Sequence, residues 1–258
     1  MRDLPVKSAE IKSLGSTLLE IGALLMISGA STERIRTTIS RISDAFGYST
    51  DMLISQRTIM LTIYDSNNEL FFNSLKRTSV HGVNFSILSG ISRMSWLIVE
   101  NKWTVQQIND DLKRLNSLIP YPKIVIFLSV GLAGMAFCRL AGGSAFDMLM
   151  VFIGSVSGLY IKRLTTKLSF NAYICVFFAA LTSSFIAGLP LKLDPGTSHE
   201  QAFVTSVLFL IPGVPLINSF SDMIDGNLQN GLIRGLNGFI ISFSIAMGLL
   251  TSMFIYHF

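Results

Sequence analysis

Five apolar runs follow one another after Lys123, at about 124–140, 145–161, 168–189, 202–220 and 235–256. Each is long enough, or nearly so, to cross roughly 30 Å of hydrocarbon at about 1.5 Å per helical residue. Because lipid offers no hydrogen bonds to a peptide group, such runs must satisfy their own backbone, which a helix does. The charges are distributed to match: residues 1–123 hold 14 of the 20 Lys and Arg and 11 of the 16 Asp and Glu. At 50% hydrophobic and 14% charged residues, the whole is more apolar than a water-soluble domain. The expected fold is therefore an α-helical polytopic membrane protein with five transmembrane helices (123–258), preceded by an N-terminal α+β cytosolic domain (1–122).

The first part reads as alternating helices and strands. Ile11, Leu14, Leu18, Ile21 and Leu25 recur at three and four, which predicts an amphipathic helix from Ser8 to about Gly29 with Gly15 and Gly22 available for close packing. Its Glu20 is expected to be partly buried and ion-paired. Gly29 ends it, and Ser31 with Glu33 opens a second helix to about Phe46, stopped by Gly47. Met52–Tyr64, the turn Asp65–Asn68 and Glu69–Phe72 predict a β-hairpin. Helix returns at about Val83–Asn101, and Thr104 with Gln107 forms a capping box for another helix to about Ser117, with Pro120 and Pro122 closing the domain.

The fourth apolar run is the one with internal conflict. Pro212 and Pro215, flanking Gly213, cannot donate backbone hydrogen bonds, so in a continuous helix the carbonyls of Leu208 and Ile211 would lose their partners and the helix should break. Interrupted membrane helices are where transporters place solute and ion sites. Asn218, Asp222 and Asp225 follow at spacings of four and three and would share a helix face, and Arg234 comes after Gly226 and Gly231, close enough for a turn to return it. These residues are the candidate substrate or coupling-ion site. The alternative is that Pro-Gly-Val-Pro ends a packed helix and the acids lie in a wet loop. Arg139 and Asp147 could meet across the turn between the first two runs, and Gly154-Ser-Val-Ser-Gly158 is a small-residue face suited to helix packing.

Other chemistry is poorly served. Cys138 and Cys175 lie in apolar segments and read as packing residues. His81, His199 and His257 are isolated from one another and from acids at ligand spacing, so no metal is expected. The net charge of +4 is scattered among acids, which argues against nucleic acid. No phosphate-binding glycine motif, nucleophile elbow or Cys/His arrangement occurs, so no cofactor and no enzyme activity are expected, and a hydrolase is the weakest alternative.

The turn Ser28-Gly-Ala-Ser-Thr-Glu-Arg-Ile35, the hairpin around Arg57, the helix Val105-Gln-Gln-Ile-Asn-Asp-Asp-Leu112 and the Pro-Gly-Val-Pro…Asn218…Asp222…Gly226…Gly231…Arg234 block resemble the threonine/serine exporter superfamily over nearly the whole chain. At this length the chain is similar to the larger, YjjP-type subunit of the split two-component form. The resemblance implies export of threonine and serine, or of a dicarboxylate such as succinate, together with a smaller membrane subunit of the same family. Self-association could supply the second half instead, and a regulatory or scaffold subunit is a further alternative.

Topology follows from the basic residues. With no signal peptide at the start, the N-terminus is expected in the cytosol of a cell whose inner membrane holds the spans. Five spans then put 18 Lys and Arg inside, leave Arg139 and Lys192 outside, and bring the C-terminus outside.

Overall fold

The computed structural model describes residues 4–64, 70–79, 82–119, 121–193 and 200–256. The expected turn at Asp65–Asn68, Pro120, the three histidines and the C-terminal Phe258 lie outside the described residues. The chain divides into two compact units, Met1–Ile119 with Val214–Gly235, and Pro120–Gly213 with Leu236–Phe258.

In the first unit, α1 (Leu4–Ile27) buries Ile11, Leu14, Leu18, Ile21 and Leu25, the face set by their spacing. Its glycines admit neighbours where a side chain would not fit: a Cβ at Gly15 would lie 2.6 Å from the Phe72 ring, and one at Gly22 2.5 Å from Ile59. Glu20 is exposed, contrary to expectation, because it falls on the opposite face of this helix. Gly29 ends the helix at φ +88°, a conformation that favours glycine. Ser31 then caps α2 (Thr32–Ala45) by accepting from the Arg34 amide.

Three antiparallel strands follow in the order β1 (Ser49–Ser55), β2 (Thr58–Tyr64), β3 (Leu70–Arg77). The single strand expected over Met52–Tyr64 is thus two strands, with Ser55 paired to Thr58 across the two residues Gln56 and Arg57. Neither turn residue is glycine, asparagine or aspartate, so the usual hairpin signal is missing. Ile54, Ile59, Leu61 and Ile63 enter the core with α1. On its other side, α3 (Phe85–Asn101) and α4 (Val105–Asn116) complete the core with Leu88, Ile91, Ile98, Ile108, Leu112 and Leu115, and the expected Thr104–Gln107 capping box opens α4. Burying each such side chain stabilises by about 1.5–3 kcal/mol.

In the second unit, α5 (Lys123–Leu140), α6 (Ala145–Lys167) and α7 (Ala172–Ala187) pack together, followed by short helices α8 (Pro190–Leu193) and α9 (Glu200–Ser206) and a 3-10 turn at Leu208–Leu210. Beyond the break come α10 (Gly213–Ile224) and α11 (Leu228–Tyr256), of which Val214–Gly235 belongs to the first unit and only the rest of α11 returns to the second. Among the described residues, three helices, α5, α6 and α11, are long and apolar enough to cross a membrane. A fourth span results if the bent pair Glu200–Leu210 and Gly213–Ile224 is counted as one, and α7 is apolar but shorter. Asp147 is buried in a capping box with Ser144 at the start of α6. Both cysteines are buried and free.

Small residues let these helices touch through backbone. A Cβ at Gly154 would lie 2.6 Å from the Ser183 carbonyl oxygen, and one at Gly158 2.8 Å from that of Ala179. Since a helix carbonyl cannot step aside as a side chain can, Gly158→Leu is expected to force α6 from α7. The overpacking cost is about 1–3 kcal/mol or more, read as a lowered unfolding temperature in detergent. An unchanged temperature would show that this contact contributes nothing.

The helix breaks at Pro212 as expected, with a bend of 64° between its two parts, and the carbonyls at the break find new donors. The Leu208 oxygen, which would lose the Pro212 N–H, accepts from Ile211 at 3.2 Å, and the Ile211 oxygen accepts from Gly213 at 2.9 Å. One turn earlier, the Ser206 carbonyl accepts from the buried hydroxyls of Ser155, at 3.1 Å, and Ser183, at 2.7 Å. Pro215 falls in the first turn of α10, where helix amides lack intrahelical partners anyway, so it costs that helix little.

Candidate functional site

α10 carries Asn218 and Asp222 one turn apart, and α11 carries Asn230 and Arg234 at the same spacing. Gly226, at φ +82°, reverses the chain between them. The two helices then approach closely, because a Cβ at Gly231 would lie 2.8 Å from the Ser219 carbonyl, and Ser219 donates its hydroxyl to the Gly231 oxygen at 2.7 Å. Gly231 therefore serves packing, and the turn is made at Gly226. The result is an antiparallel pair presenting two amides, a carboxylate and a guanidinium on one face.

That face meets the turn between α1 and α2. The end of α1 offers carbonyls without helical partners, and the start of α2 offers amides in the same condition. Asn218 donates to the Gly29 oxygen at 2.7 Å, and Arg234 donates to the Ala30 oxygen at 3.0 Å. Asp222 accepts at Oδ1 from the Thr32 amide at 2.8 Å. Asn230 donates to the Thr32 hydroxyl at 3.2 Å and to the Ile54 oxygen at 2.8 Å. The signs are complementary: cation to the C-terminal end of one helix, anion to the N-terminal end of the next.

Asp222 and Arg234 also face one another, with Nη1 3.3 Å from Oδ2. The Asp222 side chain is 0% exposed and that of Arg234 17%, so the pair is largely out of solvent. Distance makes this an ion pair, but the alignment is not that of a hydrogen bond, and among the described residues Oδ2 has no hydrogen-bond partner.

Of the residues singled out in the sequence, Asn218, Asp222 and Arg234 come together. Asp225 does not: it lies past the end of α10, exposed, and accepts from the Ser221 hydroxyl at 3.4 Å. Its expected place on the shared face fails because the helix ends at Ile224, one residue before it. Pro212 and Gly213 stand at the break and Pro215 in the following turn. Sequence reading missed Asn230 and Thr32. Asn230 precedes Arg234 by one helical turn, a signal available in the sequence, and Thr32 lies in the Ser28–Ile35 turn already singled out.

A family described as "Putative threonine/serine exporter" matches residues 16–256, which include every residue of this cluster. The chain belongs to the threonine/serine exporter family. Among its relatives in this family, the "Probable succinate transporter subunit YjjP" of Klebsiella aerogenes is 28% identical over 250 residues, covering 95% of each chain. The protein of the same name from Escherichia coli is 26% identical over 242 residues, covering 92% of this chain and 93% of its own. The "Threonine/serine exporter" of Corynebacterium glutamicum is 24% identical over 229 residues, covering 84% of this chain and 46% of its own, so the match occupies about half of that protein. No solved structure matches.

Proposed function

We propose that this chain is one subunit of a secondary transporter that exports small polar carboxylate metabolites across the cytoplasmic membrane. The observation that supports it most is Asp222, a carboxylate held between the first amide of a helix and a guanidinium, out of solvent. A cradle that satisfies an internal carboxylate has the chemistry to take a solute's carboxylate when Asp222 releases it. The relatives' printed solutes, succinate in one case and threonine or serine in the other, share that group. In this reading Asp222, once displaced, accepts a coupling proton or a solute ammonium, while Asn218 and Arg234 hold the carboxylate. Asp225, exposed at the mouth of the turn, is assigned to attracting solute or ion.

The division by environment is a cytosolic part, 1–122, and a membrane part, 123–258. The membrane part counts five spans by including α7 and the broken pair with the three long helices. The N-terminus is then cytosolic and the C-terminus outside, as the basic residues require. Five spans are few for alternating access, so a smaller membrane subunit of the same family, or a second copy, completes the carrier.

Counterflow in proteoliposomes tests this, with radiolabelled succinate and threonine in separate arms. The chain with its membrane partner is expected to exchange one of them, and the chain alone neither. Flux of neither solute with the partner present would defeat the carboxylate reading. Equal flux without a partner would defeat the two-subunit reading in favour of self-association.

A further inference from the structure

A cavity of about 420 Å³ opens between α5, α6 and α7, lined by Phe127, Val156, Ser157, Tyr160, Ile161 and Thr182. Its walls are mainly apolar, and it runs along α6 toward that helix's C-terminal end. There the Arg163 guanidinium lies 4.7 Å from the centre of the Phe127 ring. This contact ties the end of α6 to the start of α5, so Lys123, one turn before Phe127, stands at the same end as Lys162, Arg163 and Lys167. Lys162 and Arg163 are half-buried and directly follow the lining residues Tyr160 and Ile161 along α6. No Asp or Glu occurs between residues 112 and 146 or between 148 and 193, so nothing acidic on α5, α6 or α7 besides Asp147, at the far end of α6, offsets these four cations.

An apolar groove that ends in uncompensated positive charge matches a molecule with a hydrocarbon chain and an anionic head. We propose that this groove binds one anionic phospholipid. An acyl chain lies against Phe127, Val156 and Ile161, and the phosphate meets Arg163 and Lys162. Tyr160, exposed at the groove's rim, is placed to donate its hydroxyl to the ester region. Arg163 suits the phosphate because its planar fork pairs with two oxygens while its other face stacks on Phe127. The inference rests on the reading of these helices as membrane-embedded, and it is independent of which solute is carried.

The test is lipid retention by the purified full chain, measured by native mass spectrometry after exposure to mixed micelles of phosphatidylglycerol and phosphatidylcholine. Phosphatidylglycerol is expected to be retained in preference, with a loss of about fivefold for each cation removed in Lys162→Gln and Arg163→Gln. Arg163→Lys, which keeps the charge, should keep most of the preference. Ser157→Phe and Thr182→Phe fill the groove and should lower retention while leaving all four cations in place. Inorganic phosphate at millimolar concentration should not displace the lipid. Equal retention of the two lipids, full displacement by phosphate, or unchanged retention in both groove-filled variants would overturn the proposal. Should either groove-filled variant aggregate, the charge variants and the phosphate arm decide. Release of the chain from membranes by alkaline carbonate would defeat the membrane reading itself, whereas an integral chain without lipid preference defeats only this site.

Discussion

Asp222→Asn is expected to lower the stability of the chain by roughly 3 kcal/mol, although the two side chains are nearly the same size. The amide oxygen of asparagine can still accept from Thr32, so the loss comes from the other side of the carboxylate. Arg234 would keep its bond to the Ala30 carbonyl but lose the countercharge 3.3 Å away, in a place where its side chain is only 17% exposed. An uncompensated charge removed from water is costly, and removing one partner is much worse than removing both. The second arm is therefore Asp222→Asn combined with Arg234→Met. This double variant discards the ion pair and fills the space with an apolar chain. It should recover most of the unfolding temperature lost by the single change, measured in the same detergent. If the single variant unfolds at the wild-type temperature, the pair is not buried in solution as described. If the double variant is worse than Asp222→Asn alone, the Ala30 contact outweighs the pair.

What could be read from the sequence was whatever had a local cause. The cap at Ser31, the capping box at Thr104 and Gln107, and the helix ends at Gly29 and Gly47 depend on neighbours within four residues, and all four are found. The core face of α1 follows from spacing alone. The β1–β2 turn was hidden because Gln56-Arg57 has none of the usual turn residues, though the resemblance around Arg57 pointed there. In the cluster, Asn218, Asp222 and Arg234 stood out because polar groups amid apolar sequence need a reason. Their partners did not stand out, since the Gly29 and Ala30 carbonyls carry no side-chain signature and Gly29 lies 189 residues from Asn218. The carbonyls that a continuous helix would have freed find local donors instead, Leu208 from Ile211 and Ile211 from Gly213, while the Ser206 carbonyl one turn earlier is served from a distance. Ser155 and Ser183 reach the Ser206 carbonyl from two other helices.

Transport should separate a staple from a solute site, and the variants above supply the comparison. A cluster that only fastens the α1–α2 turn to α10 and α11 needs the fold and nothing more. In that case Asp222→Asn with Arg234→Met, once shown to be stable and inserted, would carry solute at close to the wild-type rate. If the cluster is the carboxylate site, the same variant is expected to lose flux by about a hundredfold or more, since the guanidinium that replaces the solute's hydration is gone. Arg234→Lys sharpens the test because it keeps the charge and the pairing with Asp222 but loses the planar fork. Stability should fall little, whereas the apparent KM for a carboxylate solute should rise by roughly tenfold or more, with a smaller change in maximal rate. A wild-type KM in Arg234→Lys, together with wild-type flux in the stable double variant, would remove Arg234 and Asp222 from the transport path. They would then remain as the ion pair that closes the two helix ends at Ala30 and Thr32.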